Sequence, residues 1–536
     1  MAEVEAASGT TGAAGERDTW TSNRGFILAA IGSAVGLGNI WRFPGVAYES
    51  GGGAFLIPYL IALVTAGIPI LFLDYAIGHR FRAAPPLAFR RLFRKAEALG
   101  WFQIGILFVI SCYYAVIIAW SLSFFYFSFG TKWGDDTAAF FTDEYLHLPK
   151  EVGVSSDLVA GVAWPLAAVW VAIVVVLALG VSKGIEKLNV IGIPLLVLGF
   201  GALVIRSVTL PGASDGLNAL FTPDWAALRD LNVWIAAYSQ IFFSMSIAFG
   251  IMIAYASFQR RKANMTSSGL VVGFANSSFE ILAGIGVFSA LGFLAHQQGI
   301  AVDELEGISG PILSFVTFPA VISQMPGSAL FGALFFGSLV IAGFTSLISL
   351  VLGVSVALQE KFGLTQRTAA LTVGIVCGAV SFGLFSTATG LYTLDTVDQF
   401  ANNIGIVASA IAMCVLVEFT FRNNGGWASR SIDELRGHLN AVSTFRVGAW
   451  WVPLIGLYAP VFLGIMLIEK LRTLIRDGYE GEPTWFVGVF GWGTVGLIAV
   501  IAIVGTLFPW KGRDDPQFKA WPDVRPVVAA KKGAEQ

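Results

Sequence analysis

A glycine-rich segment near the start of the chain carries polar groups that can bind ions inside a membrane. Residues 32–44 have the sequence GSAVGLGNIWRFP and lie within an apolar stretch from about residue 26 to 48. That stretch is long enough to cross a bilayer, which takes roughly 20 residues. An unpaired charge at membrane depth costs at least about 3 kcal/mol, so we expect Arg42 to face protein or a water-filled cavity.

The glycines at positions 32, 36 and 38 predict that this helix unwinds between Ala34 and Gly38, because each glycine costs a helix roughly 1 kcal/mol relative to alanine. Unwound backbone inside a membrane must be buried in protein or line a cavity. There its free carbonyls can bind a cation, and the start of the next half-helix can bind an anion. Close packing through Gly32 and Gly36 explains the glycines equally well, but the nearby Asn39 and Arg42 favour a binding site.

A second polar segment lies in another apolar span. Residues 238–250 have the sequence YSQIFFSMSIAFG, which places several polar side chains at membrane depth. Serines that bond back to their own helix would explain any one of them. If spans 1–5 and 6–10 form two halves, however, both irregular segments are the first span of their half. That pairing is typical of inverted-repeat transporters with a midplane site.

Composition predicts the polytopic membrane protein that these segments require. The 536 residues are 56% hydrophobic and only 13% charged, whereas soluble domains carry about 25% charged residues. The predicted class is all-α with about twelve membrane helices, at approximately 26–48, 54–77, 99–129, 161–180, 188–210, 231–258, 268–295, 328–358, 368–387, 396–421, 450–469 and 484–509.

Other functional classes have little support in the sequence. The four histidines are scattered without metal-ligand spacing, no phosphate-binding loop is present, and no basic run suggests nucleic acid. The three cysteines lie in apolar runs, so no disulfide framework is expected. The first 19 residues lack the pattern of a cleaved signal peptide. No organic cofactor is expected.

Charge between the spans predicts the orientation. The loop after the second span is rich in arginine between residues 80 and 95, and the loop around residues 135–144 is acidic. The positive-inside rule therefore places both termini in the cytoplasm, and an inner (cytoplasmic) membrane is the expected location. One loop disagrees, since Lys470, Arg472 and Arg476 would lie outside.

In several motifs the chain resembles the neurotransmitter:sodium symporter family, and within it the bacterial amino-acid transporters. The resemblance runs from about Trp20 to the last apolar span. It rests on Gly32–Pro44, Gly51–Phe55, Tyr113-Tyr114, Gln240–Gly250, Asn276 and Ala342–Ser346.

The resemblance implies two inverted five-helix repeats with broken helices 1 and 6, and uptake of an amino acid with sodium. The implied divisions are a cytoplasmic tail at 1–20, repeats at 21–215 and 216–421, two further helices at 422–510 and a cytoplasmic tail at 511–536. The oligomeric state is left open between a monomer and a homodimer.

The family's binding residues carry over to matching positions. The resemblance implies two sodium sites, the first made by Ala34, Asn39, Ser244 and Asn276 with the substrate carboxylate, and the second by Gly32, Val35, Ala342, Thr345 and Ser346. Interhelical hydrogen bonding is an equally good explanation for each polar side chain taken alone.

The substrate carboxylate would bind the backbone amides of Gly36, Leu37 and Gly38 and the Tyr114 hydroxyl. Monoamine-transporting relatives have an aspartate at position 36, so the glycine here favours a substrate with its own carboxylate. The implied side-chain pocket is formed by Ala34, Ile110, Tyr114, Phe243, Ser244, Ser246, Phe249, Ser346 and Leu350. Its composition suits an apolar or aromatic side chain, although core packing alone would explain Phe243 and Phe249.

Gates and a substitute for chloride also follow from the resemblance. Arg42 and Asp398 match the outer gate, with Asp395 as an alternative partner, and the inner gate comprises Arg17, Trp20 and Glu360. Gly184 and Pro194 match a helix-5 segment that unwinds, although an ordinary proline kink is the alternative.

Glu280 is an ionisable residue in an apolar run, one helical turn after Asn276, which indicates function. Animal relatives have a serine here and bind chloride, with residues matching Tyr59, Gln240, Ser244 and Asn276. A glutamate predicts chloride independence and proton counter-transport.

The function predicted is therefore sodium-coupled import of an apolar or aromatic amino acid by alternating access. A channel is the main alternative from another class, and it would conduct without accumulating substrate. A membrane enzyme ranks third, because no nucleophile–base or metal constellation occurs in the apolar spans.

Overall fold

Long apolar helices form most of the chain. The computed structural model describes residues 19–305, 307–308, 310–424, 427–514, 518–522 and 524, so that Arg17 lies outside the described residues. In chain order the main helices are α1 (Asn23–Ala34), α2 (Gly38–Glu49), α3 (Gly53–Phe81), α4 (Pro85–Leu92), α5 (Arg94–Ser128), α6 (Ala160–Leu179), α7 (Val181–Ser207), α8 (Ala213–Phe221), α9 (Leu231–Ser244), α10 (Ile251–Ser257), α11 (Met265–Gln298), α12 (Gly310–Ser323), α13 (Ser328–Phe362), α14 (Gln366–Phe385), α15 (Gly390–Phe419), α16 (Ser431–Val442), α17 (Trp451–Arg476) and α18 (Thr484–Leu507). Short helical turns at Thr137–Ala139 and Phe140–Tyr145 lie between α5 and α6.

The predicted all-α membrane fold is confirmed. Within the described ranges, 10 helices are long and apolar enough to cross a bilayer, and the bent pair α1–α2 brings the number to 11. The predicted sixth span corresponds to α9 and α10, which are separated by a break and are each too short to cross alone. Each of the twelve predicted spans therefore has a counterpart.

Both predicted breaks are present. The first lies between α1 and α2, whose axes differ by 53°, and Val35 there has extended backbone. The second lies between α9 and α10, where Ser246, Ala248 and Gly250 all have positive φ angles of 53°, 67° and 102°. The left-handed region is unfavourable for Ser246 and Ala248, which have side chains, so surrounding contacts must hold this segment in place.

Two central helices support the breaks, and peripheral helices surround them. The most apolar windows of α5 and α13 are 89% and 83% buried within the protein, and the two helices pack along each other. The corresponding windows of α17 and α18 are only 28% buried, as expected for helices that face lipid. The central pair presents Tyr114 and Ser346 towards the first break.

Several elements were not predicted. An apolar helix, α12, lies between two membrane helices and is too short to cross by itself. Strands β1 (Phe421–Asn424) and β2 (Trp427–Arg430) form an antiparallel hairpin with Phe421 opposite Arg430, followed by the amphipathic α16. The predicted repeat boundary at 215/216 falls inside α8, and the boundary at 421/422 falls inside β1. Whether these are the repeat boundaries stays a prediction.

Candidate functional site

A small cavity lies where the two helix breaks meet the central helices. About 30 Å³ of it is accessible to the centre of a water-sized molecule. Its lining residues are Ser33, Ala34, Gly36, Gly38, Asn39, Ile110, Tyr114, Phe243, Ser244, Ser246, Phe249, Ile251, Ser346 and Leu350. These include every predicted substrate-binding residue except Leu37. The structure thus brings together residues from four separate helical regions.

Backbone at the first break makes one end of this cavity polar. The Leu37 N–H group donates a hydrogen bond to the Tyr114 hydroxyl at 3.0 Å, which is how Leu37 joins the site without lining it. The Gly36 N–H group donates to the Asn39 side-chain oxygen at 2.8 Å. These amides, near the start of α2, are the groups that an anion would meet at a helix N-terminus.

The glycines at the first break are required by close approach. A Cβ atom on Gly36 would lie 2.6 Å from Ser346 Oγ and 2.7 Å from the Tyr114 hydroxyl oxygen. A Cβ atom on Gly38 would lie 2.2 Å from a Phe243 ring carbon. Both explanations considered for the glycines therefore apply, because the segment is unwound and is also tightly packed.

Three of the four residues predicted for the first sodium site, namely Asn39, Ser244 and Asn276, form one hydrogen-bonded chain. The Asn39 side-chain amide donates to the Asn276 side-chain oxygen at 2.8 Å, and the Asn276 amide donates to Ser244 Oγ at 3.1 Å. All three side chains are buried. Amide and hydroxyl oxygens are hard donors of the kind that alkali cations prefer, so this donor set fits sodium.

The residues predicted for the second sodium site connect α13 to the first break. The Ser346 hydroxyl donates to the Gly32 carbonyl at 3.3 Å and to the Ser33 carbonyl at 3.2 Å. The Thr345 hydroxyl donates to the Ala342 carbonyl at 3.0 Å. Val35 lies at the end of α1, within the same break. This set also offers only hydroxyl and carbonyl oxygens, and it fits the same cation.

Glu280 is completely buried and extends the first set of polar residues. Gln240 Nε2 donates to Glu280 Oε1 at 2.5 Å, and the Tyr59 hydroxyl donates to Oε2. Asn276 Nδ2 lies 3.5 Å from the same Oε2. The carboxyl group is thus surrounded by neutral donors, one helical turn from the candidate sodium ligand Asn276.

The predicted outer-gate pair is not in direct contact. In the part of the chain that the structure describes, no carboxylate lies within 4 Å of the Arg42 guanidinium. Arg42 instead lies over the Phe243 ring, with Cζ 4.4 Å from the ring centroid, and it borders a second cavity of about 220 Å³. Asp398 accepts a hydrogen bond from Asn402 at 2.7 Å, and Asp395 accepts one from Tyr479 at 2.5 Å.

The described part of the predicted inner gate holds the C-terminal end of α10. Trp20 is fully buried; its ring N–H donates to the Tyr255 carbonyl at 3.0 Å and its backbone N–H to the Phe258 carbonyl at 3.3 Å. Glu360 accepts a hydrogen bond from the Ala84 N–H at 2.9 Å, just before α4. Arg17 lies outside the described residues.

Gly184 and Pro194 lie within α7, which continues from Val181 to Ser207. Unwinding is therefore not present in this conformation, and the proposed role of these two residues stays a prediction. Ser33, Asn39 and Ile251 also line the cavity, although they were not predicted to contact substrate. Asn39 was singled out as polar, whereas Ser33 and Ile251 have no sequence signal because their orientation depends on the breaks.

Comparisons with known proteins identify a matching family, a related sequence and a related fold. A family model described as the sodium:neurotransmitter symporter family matches residues 17–147 and 131–510. An uncharacterized sodium-dependent transporter of Methanocaldococcus jannaschii is 39% identical over 492 residues, covering 91% of this chain and 97% of that protein. The crystal structure of MhsT in complex with L-phenylalanine matches with a TM-score of 0.72 and 29% identity, over 84% of this chain and 99% of that one.

Proposed function

This chain belongs to the sodium:neurotransmitter symporter family, and we propose that it imports an amino acid with an apolar or aromatic side chain together with sodium. It is an integral membrane transporter and not an enzyme. The observation that carries the proposal is the cavity at the two breaks, which combines polar backbone at one end with largely apolar side chains elsewhere.

The polar end of the cavity suits a carboxylate. The Tyr114 hydroxyl and the backbone amides of residues 36–38 surround this end. No side chain extends from Gly36, and the space beside it is already filled by Ser346 and Tyr114. The substrate must therefore bring its own negative charge, as an α-amino acid does. Its side chain would contact Ile110, Phe243 and Phe249. L-phenylalanine is the molecule named in the MhsT complex, so it is the natural first probe.

Two sodium ions fit the two oxygen sets. The first ion would be held by Ala34, Asn39, Ser244 and Asn276, and the second by Gly32, Val35, Ala342, Thr345 and Ser346. A bound sodium ion supplies positive charge beside the substrate carboxylate, which links the affinities of the two ligands. The side chains of Asn39 and Asn276 already face each other, so little reordering is needed to hold the ion.

Glu280 supports a chloride-independent cycle. Its carboxyl group lies among Tyr59, Gln240 and Asn276, and by resemblance to animal relatives, which hold chloride with the matching residues, it would take the place of that anion. A covalent carboxylate makes a bound anion unnecessary, and it can take up a proton when sodium leaves. We therefore infer that a proton returns outward as sodium and substrate enter.

Alternating access would move the two halves, 21–215 and 216–421, around the breaks. Arg42 with Asp398 would close the outer side; Arg17, Trp20 and Glu360 would close the inner side; and α7 would unwind between Gly184 and Pro194. Both termini would lie in the cytoplasm, in an inner membrane. The separation of Arg42 from carboxylates in this structure is consistent with an outer gate that is not tightly closed.

Equilibrium binding to the purified protein tests the proposal. L-phenylalanine, L-leucine, L-glutamate and L-lysine should be compared in sodium and in potassium. We expect saturable binding of the first two in sodium, and at least about tenfold weaker binding in potassium. Equal binding in both salts, or preference for a charged side chain, would contradict it. A channel would instead conduct without accumulating amino acid in proteoliposomes.

A further inference from the structure

A second buried carboxyl group, Asp74, holds the break between α9 and α10. Asp74 lies within α3 and is completely buried. Its Oδ2 accepts a hydrogen bond from the Ala248 N–H at 2.9 Å. The Ala248 carbonyl accepts hydrogen bonds from Gln103 Nε2 at 3.0 Å and Ser409 Oγ at 2.6 Å. Three helices thus hold both backbone polar groups of a residue whose φ of 67° is unfavourable for alanine.

The other oxygen of Asp74 has no partner among the described residues. Oδ1 is buried and has no hydrogen-bond partner in the described chain, and no ion pair among the described residues includes Asp74. A carboxylate that is buried without a cation is strongly unfavourable, whereas the neutral acid avoids most of that desolvation cost. The environment therefore favours a proton on Asp74 in this conformation.

Among the described residues, no neighbouring group supplies a compensating charge. The titratable side chains beside Asp74 are Tyr75 on the same helix and Cys414 on α15, which are neutral when protonated. His79 and the Arg80–Glu434 ion pair follow five and six residues later on α3. At 1.5 Å per residue they lie roughly 8–9 Å further along the helix.

Asp74 is separate from the Glu280 cluster but connected to the substrate cavity. Tyr59, which bonds to Glu280, precedes Asp74 by 15 residues on α3, so Asp74 lies about four helical turns further along that helix. From Asp74 to the end of α3 at Phe81 is about 10 Å, towards the side that we place in the cytoplasm. Ala248, in contrast, lies between Ser246 and Phe249, and both of these line the cavity.

We propose that Asp74 is a second proton-binding site, which couples the break of the sixth span to the opening of the inner side. While the inner side is closed, Asp74 is a neutral acid. When the inner side opens, water reaches it, the O–H bond breaks, and the proton passes to that water. The carboxylate regains a proton from the same side before the protein recloses, so this site moves no net proton across the membrane. The direction of opening rests on the proposed function; the protonation of Asp74 does not.

Infrared difference spectroscopy tests directly whether Asp74 carries a proton. The probes are sodium alone and sodium with L-phenylalanine. The wild type should show the C=O stretch of a protonated carboxylic acid, and carbon-13 labelling of aspartate should shift part of it. Asp74→Asn should remove that part, and Glu280→Gln should leave it unchanged. An acid band that is absent, or unaffected by both the label and Asp74→Asn, would overturn the proposal. The labelling experiment uses the wild type, so a variant that fails to fold does not prevent the test.

Exchange of L-phenylalanine in proteoliposomes tests whether the protonation of Asp74 controls the opening of the inner side. Wild-type exchange should slow as the internal pH falls, because the neutral acid favours the closed inner side. Asp74→Asn, whose amide oxygen can still accept from Ala248, should keep sodium-dependent binding within about twofold of wild type and lose most of this pH dependence. Asp74→Glu should retain the pH dependence. Unchanged pH dependence in Asp74→Asn contradicts the proposal, whereas a wild type without sodium-dependent binding contradicts the proposed function instead.

Discussion

The Asn39 side-chain amide donates a hydrogen bond to the Asn276 side-chain oxygen over 2.8 Å. This bond joins the start of α2 to α11, and it connects the first break to Ser244 and Glu280. Both side chains are buried, so neither can replace its partner with bulk water. A single contact thus connects the candidate sodium ligands with the only acidic residue of that cluster among the described residues.

Asn276→Ala should abolish sodium-dependent binding of L-phenylalanine. It removes one candidate ligand and leaves the Asn39 amide unpaired, which costs about 1–3 kcal/mol of folding free energy. Binding isotherms at increasing sodium concentration, together with thermal unfolding in detergent, measure both effects. Ser289→Ala, another buried polar position on α11, is the control and should bind normally. Wild-type sodium dependence in Asn276→Ala would show that the ligand assignment is wrong.

Hydropathy and the positions of a few polar residues and glycines were enough to predict much of this site from the sequence. Hydropathy located the spans because the bilayer requires about 20 apolar residues for each crossing. The glycines before Asn39 indicated the first break because glycine weakens a helix wherever it occurs. Asp74 also carried a signal, as an ionisable residue within the predicted span 54–77, but its contact with Ala248 required the structure.

The remaining features depend on how distant segments pack. Ile251 lines the cavity only because α10 restarts at that residue, and α12 is too short for hydropathy to distinguish from a loop. The distance between Arg42 and Asp398 depends on the conformation of the protein. One sequence is compatible with every conformation that the protein adopts, so the sequence alone does not show which contacts are made in a given conformation.

The double variant Thr345→Ala/Ser346→Ala should abolish sodium-driven uptake while leaving the fold intact. It removes two hydroxyl oxygens from the second candidate sodium site, including the one that bonds to the Gly32 carbonyl. Uptake into vesicles under a sodium gradient is the measurement. Ser338→Ala, at another buried position on α13, should transport normally. Normal uptake by the double variant, or wild-type uptake that continues when potassium replaces sodium, would exclude this site.

Removal of the substrate carboxylate should weaken binding strongly. Phenethylamine, the decarboxylated form of L-phenylalanine, leaves the backbone amides near Gly36 and the Tyr114 hydroxyl without an anion. We expect the affinity for phenethylamine to be at least about a hundredfold lower than that for L-phenylalanine, because two charge-assisted hydrogen bonds are lost.

Competition binding with Tyr114→Phe provides the matched comparison for this substrate test. The variant should lower the affinity for L-phenylalanine more than the affinity for phenethylamine. Tyr145→Phe, which also changes a buried tyrosine, should change neither affinity. Similar affinities of wild type for the acid and the amine would contradict a carboxylate site.

Acid should destabilise the protein through His438 on α16. Its Nε2 lies 2.9 Å from His79 Nδ1, and His79 Nε2 lies 2.8 Å from the Arg260 carbonyl oxygen. A carbonyl only accepts, so neutral His79 carries its proton on Nε2 and His438 donates to Nδ1. Burial, followed by the effects of His79 and Arg80, holds the pKa of His438 well below its usual value.

The direction of this pH effect on stability follows from proton uptake by His438. The unfolded chain binds a proton at His438 below about pH 6.5, and the folded chain does not until its lower pKa is reached. As the pH is lowered from about 6.5 towards the pKa of His438 in the folded protein, the free energy of unfolding should therefore decrease. For this group the decrease is up to about 1.4 kcal/mol per pH unit. His438→Gln, which can still donate to His79, should reduce this slope in thermal unfolding measured against pH. His296→Gln, at an exposed site, should not, and equal slopes in all three proteins would refute the assignment.

Glu280→Ser should convert the transporter to chloride dependence. Wild-type uptake should proceed when gluconate replaces chloride, because the carboxyl group bonded to Tyr59 and Gln240 already supplies the negative charge. When sodium and substrate leave, that carboxylate loses a compensating cation and should take up a proton for the return step. An acidic vesicle interior should therefore stimulate wild-type uptake through this residue, and the Asp74→Asn background separates this effect from the slowing of exchange expected at Asp74.

The serine variant removes the charge and leaves space for an anion among Tyr59, Gln240 and Asn276. Its uptake should become chloride-stimulated and less sensitive to internal pH. Glu280→Gln is the matched control: it also removes the charge but fills the space, so chloride should not restore its uptake. Sodium-driven uptake of L-phenylalanine by the three proteins, with chloride and internal pH varied separately, measures these effects. A chloride-dependent wild type, or a serine variant indifferent to chloride, would contradict the role proposed for Glu280.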